Sequence, residues 1–349
     1  MPSTHMSAVA TAVLVRAGAA VNRTFVLPLL MFSPTSGCNS RCVSCDWWKR
    51  SAEDDLTLGE IAEVARALPS LGTRLVVFSG GEPLLRPEVF SAAELFRAEG
   101  ARLHLLTSGV LLERRADGVA RSFERVVVSL DATSGALYGA VRGVAALDTV
   151  EAGVARLRRL APEVVVTARS TLHRMNFREL PGLIDHAKSL GLDGISFLAA
   201  DVDSTAFGRT SAPGAASGLL LTRDEVGEFE ALVDRTIDEY AADIDSGFVA
   251  QSAGKLRQLP RHYRAALGDG PRPAPACDAP WVSAVVDANG DVRPCFFHAV
   301  IGNVRREPLR VIVEEHLPAF RRGLDMRADA TCRRCVCSLK TGWRSAPWL

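Results

Sequence analysis

Three cysteines stand close together near the start of the chain. Cys38, Cys42 and Cys45 form a C-x3-C-x2-C group inside Thr35-Ser-Gly-Cys-Asn-Ser-Arg-Cys-Val-Ser-Cys-Asp-Trp-Trp-Lys49. Thiolates are soft ligands that select iron–sulfur clusters, zinc or Cu(I). Three of them can hold three irons of a [4Fe–4S] cube and leave the fourth iron open to a substrate or cosubstrate. A zinc knuckle completed from elsewhere, or a redox pair with a bystander, uses the same residues, so the spacing has to be read with its surroundings.

The other five cysteines lie between Cys277 and Cys337, and the middle of the chain has none. Cys277 and Cys295 are separated by 17 residues, and Cys332-x2-Cys335-x-Cys337 closes the group. Trp281–Asp287 and Asp291–Cys295 flank Ala288-Asn289-Gly290. Asn-Gly between apolar runs is a strong hairpin signal. A structural zinc site fits these spacings as well.

The elements that must carry these groups alternate. The apolar run Phe25–Phe32 reads as a first strand. Thr57–Leu68 is a helix opened by a Thr-x-x-Glu capping box. Strands are then expected at Arg74–Phe78, Arg102–Thr107, Arg125–Ser129, Val164–Ser170 and Gly194–Ala199. Helices are expected between them at Pro87–Glu99, Leu111–Ser122, Thr149–Leu160 and Phe177–Leu190. Such alternation means an α/β fold with a parallel sheet wrapped by helices, with ligands at the C-terminal strand ends. The second strand runs into Gly80-Gly81-Glu82-Pro83. Paired glycines let backbone approach a ligand closely, and proline stiffens the exit. Asp201–Gly218 reads as a loop, Thr222 caps a helix reaching about Asp243, and Gly268–Pro275 is a Pro/Gly linker. A further helical stretch is expected near Arg310–Arg321.

Strand, cysteine triad and GGEP, in that order, resemble the radical S-adenosylmethionine (SAM) superfamily. The resemblance implies a partial (β/α)6 TIM-like barrel. It implies that Cys38, Cys42 and Cys45 hold a SAM-cleaving cluster, and that Gly80, Gly81, Glu82 and Pro83 receive the methionyl amino group. Ser129 and Asp131 match polar positions that reach the ribose or the substrate; a cap on the following turn is the plainer role. Arg142, in Arg142-Gly143, suits the methionyl carboxylate. Arg169, Ser170 and Leu198 fall where adenine and carboxylate contacts are usual. His173 and His298 are candidate substrate contacts. One departure is Ser44, where many members carry an aromatic residue; here the aromatics follow as Trp47 and Trp48.

The C-terminal hairpin, helix and Cys-x2-Cys resemble the twitch extension, a shorter relative of the SPASM domain. The twitch implies one auxiliary [4Fe–4S] cluster on Cys277, Cys295, Cys332 and Cys335. Cys337 is then spare, an alternative fourth ligand, or a thiol near the substrate with a catalytic role. The expected organisation is a lead-in at residues 1–24, a barrel at 25–200, a helical connection at 201–275 and a twitch-like domain at 276–349. The cofactors would be two [4Fe–4S] clusters and SAM.

Composition excludes several classes. The chain has 349 residues, 48% hydrophobic and 23% charged, with a net charge of +1. Lys and Arg are scattered, which gives no nucleic-acid footprint. No run of about 18 apolar residues marks a membrane span. Clustered cysteines of this kind belong in a reducing cytosol, so a cytoplasmic location is expected.

The resemblance implies an enzyme that reductively cleaves SAM to a 5′-deoxyadenosyl radical, which abstracts a hydrogen atom from substrate. A ferredoxin- or flavodoxin-like donor would supply the electron. The roughly 25 residues before the first strand are short of a leader-binding domain, since domains have about 50 residues or more. A small molecule such as a sugar, cyclitol or nucleoside is therefore expected, ending in dehydrogenation, epimerisation or decarboxylation. A peptide maturase is the alternative enzyme. An iron–sulfur scaffold or electron carrier is the alternative from another class, and it would have no use for GGEP.

Overall fold

The computed structural model describes residues 8–211, 218–272 and 274–339. Nine strands form one sheet that does not close. They are β1 (Leu29–Phe32), β2 (Leu75–Phe78), β3 (Arg102–Thr107), β4 (Arg125–Ser129), β5 (Val165–Leu172), β6 (Gly194–Ala199), β7 (Ser283–Val286), β8 (Asp291–Arg293) and β9 (Gly302–Asn303). The order is β6-β5-β4-β3-β2-β1-β7-β8-β9, and β1 to β6 are parallel. Helices join the successive parallel strands, which gives the expected partial barrel.

Alternation along the strands sorts the side chains. Phe32 and Phe78 point outward and meet Phe96 and Phe123 of the surrounding helical layer, ring centroids 4.9–5.7 Å apart. Edge-to-face pairs of this kind contribute about 0.5–1.5 kcal/mol each beyond burial. Leu29, Met31, Leu75, Val77, His104, Val127, Thr167 and Ser196 turn the other way and line the lumen.

The expected elements are present with local differences. β1 starts only at Leu29, because Pro28 has no N–H to donate to a ladder; its carbonyl instead accepts from Arg74 and Leu75 N–H. β5 runs on to Leu172, since Thr171 and Leu172 still find partners in Leu198 and Ala199. Thr57 and Thr222 both close capping boxes, with Glu60 and Glu225. A helix at Gly135–Arg142 was not expected. Ser134 caps its start, and Gly143, at φ 66°, ends it.

The C-terminal hairpin forms around Asn289-Gly290, but it is not a layer of its own. β7 lies parallel to β1, Leu29 opposite Ser283 and Phe32 opposite Val286, so the hairpin continues the barrel sheet. Past β6, Val249 bridges Ile195 in parallel and extends the other edge. Among the described residues no helix is long and apolar enough to cross a membrane.

Candidate active site

The triad loop leaves the C-terminal end of β1 and is held on three sides. Gly81 and Glu82 N–H donate to the carbonyls of Thr35 and Gly37, at 3.1 and 2.8 Å. A Cβ on Gly81 would meet the Gly37 oxygen at 2.0 Å, so only glycine fits there. Arg41 and Val43 N–H donate to Arg142 and Val141, and a Cβ on Gly143 would lie 2.4 Å from the Arg41 carbonyl oxygen. Asp46 N–H donates to Phe207, and Arg209 donates to the Ser44 carbonyl while pairing with buried Asp201 at 2.9 Å. The Asp201–Arg209 pair was not legible in the sequence, because Asp201 to Gly218 carries only loop signals.

Glu82 is buried, and its carboxylate is already engaged. Oε1 accepts from Thr107 Oγ1 at 2.8 Å and Leu84 N at 3.0 Å, and Oε2 from Ser108 N at 2.6 Å. It pins the GGEP loop to the end of β3. Pro83 is buried at the start of the short helix that follows. Trp48 folds its indole N–H onto the Cys45 carbonyl at 3.0 Å and stays partly exposed.

Asp131 is buried and ties two expected site residues together. It pairs with Arg142 at 3.0 Å and accepts from Thr171 N–H at 2.7 Å. Several buried polar atoms of this end of the barrel have no partner among the described residues: Arg142 Nε, Ser170 Oγ, His173 Nε2, and Asn39 Nδ2 and Ser40 Oγ on the triad loop. Such atoms cost free energy unless a ligand supplies partners. Ser129 is half-buried at the end of β4. Arg169 donates to Ser196 Oγ at 3.2 Å and lines the lumen with Leu198.

The second cysteine group lies at the opposite end. Cys277 precedes β7, which is parallel to β1, and Cys295 follows β8, which is antiparallel to β7. Both therefore face the N-terminal end of β1, and at ~3.3 Å per residue that strand alone separates the two ends by about 10 Å. Cys332, Cys335 and Cys337 come to the same place from the chain's last described segment. A cavity of about 760 Å³ runs along the lumen, lined by Met31, Leu106 and Arg169 on the strands and by all five of these cysteines.

The sulfurs share a local pattern. Cys277 and Cys335 accept from the amide two residues on, Ala279 at 3.4 Å and Cys337 at 3.3 Å. Cys38, Cys45 and Cys295 likewise take backbone bonds from Ser40, Trp47 and Phe297. Cys277 takes a second from Leu339 N–H at 3.4 Å. Amide donors aimed at sulfur stabilise thiolate and metal-bound thiolate. Burial works the other way: it pushes Cys38 and Cys295 up to about 11, and Cys45 and Cys332 up to about 12. Buried thiols with donors in place are suited to a cation that deprotonates them, as a coordinating metal does. Both groups, and the glycine-lined loop with its orphaned polar atoms, thus fit thiolate-held clusters and a polar cosubstrate.

His298, a candidate substrate contact, lies against the second group, Nε2 3.4 Å from Cys332 Sγ and its ring on Phe320, and it also lines the cavity. His173 is fully buried, and its Nδ1 accepts from Met175 N–H.

Residues 32–187 match the model of the Radical SAM superfamily, and residues 277–336 match that of the SPASM iron–sulfur cluster-binding domain. The AdoMet-dependent heme synthase of Methanosarcina barkeri is 31% identical over 172 residues, covering 47% of this chain and 48% of that one. GTP 3′,8-cyclase 1 of Pseudomonas aeruginosa is 35% identical over 180 residues, covering 48% and 53%. The chain thus spans about half the length of these curated relatives. Among solved structures, Streptococcus suis SuiB bound to S-adenosylmethionine superposes with a TM-score of 0.65 at 15% identity, covering 94% of this chain and 76% of SuiB. Native anSMEcpe with bound AdoMet and Kp18Cys peptide gives 0.62 at 18% identity, covering 84% and 82%. These two show a common fold. The chain carries a Radical SAM domain and a C-terminal SPASM iron–sulfur cluster-binding domain, which imply S-adenosylmethionine and [4Fe–4S] clusters as cofactors.

Proposed function

We propose that this enzyme abstracts a hydrogen atom from a small molecule held in the lumen between its two cysteine groups. The observation that carries this reading is the placement of the groups at opposite ends of the barrel, with a cavity of about 760 Å³ along the lumen. Small ligands use cavities of about 300–1,000 Å³, and this one also takes in the space among the five cysteines where the auxiliary cluster would sit. The curated relatives named above act on GTP or in heme synthesis, which agrees with a small molecule.

Cys38, Cys42 and Cys45 would hold the barrel cluster, and Cys277, Cys295, Cys332 and Cys335 the auxiliary one. When bound, the cofactors supply one-electron chemistry and hydrogen-atom abstraction; the protein supplies position and shielding. Gly80 and Gly81 offer close backbone approach to the methionyl amino group. Glu82 acts through position, since three donors already occupy its carboxylate. Asp131 holds Arg142 beside the triad, with Arg142 Nε still available to a carboxylate. Arg169 and Leu198 line the lumen, Ser129 is in step with lumen-facing Val127 on β4, and Ser170, next to Arg169 on β5, turns to the other face. Residues 25–200, 201–275 and 276–349 would be the barrel, its helical connection and the cluster-binding extension. A ferredoxin- or flavodoxin-like protein in the cytoplasm would deliver the electron.

The test is anaerobic reconstitution followed by reduction with dithionite in the presence of SAM. Formation of 5′-deoxyadenosine and methionine is expected. A protein that holds both clusters and yet leaves SAM intact would sink the reading.

A further inference from the structure

The strands place their cationic side chains on one wall of the lumen, and Arg333 of the helix Ala330–Arg334 lines it from the C-terminal segment. Arg102 and His104 of β3, Arg125 of β4 and Arg169 of β5 line it, and Lys255 joins them from the helix Ala253–Leu256. His104 and Arg125 are partners in register on adjacent strands. Deeper in, half-buried Met31 of β1, Leu106 of β3 and Val127 of β4 make the lumen apolar, while Leu29, Leu75 and Val77 are closed off against Val282 and Trp281.

Arg169 and Lys255 stand near Cys337 and the other cysteines of the second group, but no carboxylate among the described residues balances Arg125 and His104. Asp193 is the one carboxylate among the described residues that line the cavity. It is committed elsewhere, to both guanidinium nitrogens of Arg158 at 2.9 and 3.0 Å and to Val166 N–H at 2.7 Å. Among the described residues, Arg125, Arg169 and Lys255 take part in no ion pair within 4.0 Å. Gathering like charges in a partly desolvated cavity costs free energy, and a bound anion offsets that cost. His104 reports the local potential: burial, then Arg125 and Arg102, push it down to about 4.

We propose that the lumen is built for an organic acid, with the acid group seated on Arg125 beside His104 and the apolar body on the half-buried Met31, Leu106 and Val127. Arg125 opens β4, at the end away from the triad, so the seat is separate from the SAM end. An acid anchored there directs the rest of the molecule along the lumen towards Cys38, Cys42 and Cys45. Guanidinium–carboxylate and guanidinium–phosphate bonds are charge-assisted and bidentate, so either acid group satisfies the seat. This inference names the substrate class of the small-molecule reading above and rests on it.

The experiment is calorimetric titration of the reconstituted, SAM-bound enzyme with octanoate, octyl phosphate and the neutral octanamide. Both acids are expected to bind at least tenfold tighter than the amide. The stronger of the two identifies the acid group as carboxylate or phosphate. Arg125→Gln should cut the preference below threefold, and Arg125→Lys should retain most of it, which separates charge from folding. Arg66→Gln, on the surface, should change nothing. Equal binding of acid and amide, or an unchanged preference in Arg125→Gln, overturns the proposal. SAM cleavage is measured separately on the same wild-type protein. Its absence would count against the enzymatic reading, while probe binding alone decides the acid seat.

Discussion

Glu82 and Thr107 are joined by a hydrogen bond of 2.8 Å between neighbouring strand ends, and the bond sits under the loop that carries Gly80 and Gly81. The same carboxylate takes Ser108 N–H and Leu84 N–H. Because all three partners are donors, Glu82→Gln must turn an amide NH2 towards at least one of them. An unsatisfied buried donor costs about 1–3 kcal/mol. Glu82→Gln is expected to lose that much stability in denaturant unfolding and to weaken SAM binding, while keeping the barrel cluster. Thr107→Val removes one bond and should cost about 1 kcal/mol. Glu82→Gln with wild-type stability and wild-type SAM affinity would contradict this role.

Gly81 couples the triad loop and the GGEP loop by direct contact. Its missing Cβ leaves room for the Gly37 oxygen, 2.0 Å from where that atom would stand. Gly81→Ala must push the two loops apart, since the crowded neighbours are backbone atoms. Overpacking of this kind costs about 1–3 kcal/mol. SAM affinity, followed by equilibrium dialysis, should drop at least tenfold, whereas Gly227→Ala, with open space around it, should be neutral. Unchanged affinity in Gly81→Ala would show that the loops move independently.

The barrel was legible because its strands are short apolar runs between capped helices; Thr57 and Thr222 place their helices to within a residue. Both cysteine groups stood out as candidate ligands once their spacing was read with the strand and GGEP around them, and the structure brings the five C-terminal cysteines to one cavity. What was hidden depends on contacts between distant segments. Nothing in Gly143 says that it makes room for Arg41, far earlier in the chain, and nothing in the Asn289-Gly290 turn says that β7 will lie beside β1. Glu82 was expected to touch the cosubstrate, and its three chain donors became visible only when β2 and β3 were set side by side.

His173 gives the fold a pH dependence. It is fully buried, and burial pushes it down to about 4, with Asp131 the nearby charge that opposes the shift. Its ordinary value lies near 6.5, so between about pH 6.5 and pH 4 the unfolded chain binds a proton that the folded chain refuses. Its contribution is present in full above pH 6.5 and is lost as the pH falls towards 4. The amount is on the order of 3 kcal/mol. Urea midpoints of the wild type should decline across that window, and His173→Gln should flatten the decline. A slope that is the same in both proteins would place the acid sensitivity elsewhere.

The iron content tests the two groups separately. Reconstituted wild type should hold about eight irons, two cubes of four. The triple change Cys38→Ala, Cys42→Ala, Cys45→Ala should keep about four and lose all SAM cleavage. Cleavage in that protein, or tightly bound zinc in place of the second cube, would refute the assignment.

Cys335 and Cys337 are separated by a single residue, and the structure distinguishes them. Cys335 Sγ accepts the amide of Cys337 at 3.3 Å, the same two-residue step seen at Cys277 with Ala279. Cys337 is the donor of that bond, and its thiol is close enough to Arg169 and Lys255 to feel their charge. Four thiolates complete one cube, and in the reading proposed above Cys277, Cys295, Cys332 and Cys335 would supply them. Cys337→Ala is therefore expected to keep full iron, and Cys335→Ala to lose the auxiliary cluster, read by iron analysis and electron paramagnetic resonance. The reverse result would exchange the two roles. If Cys337→Ala keeps its iron and its SAM cleavage but forms no product from an accepted substrate, Cys337 is a substrate contact or a hydrogen-atom donor, whose thiyl radical would then take up one electron from the external donor and one proton. Retention of a solvent deuterium label in a wild-type product inverted at one carbon would single out the donor role and shift the reading towards epimerisation, because a thiol on that side of the lumen faces the substrate opposite to the SAM end.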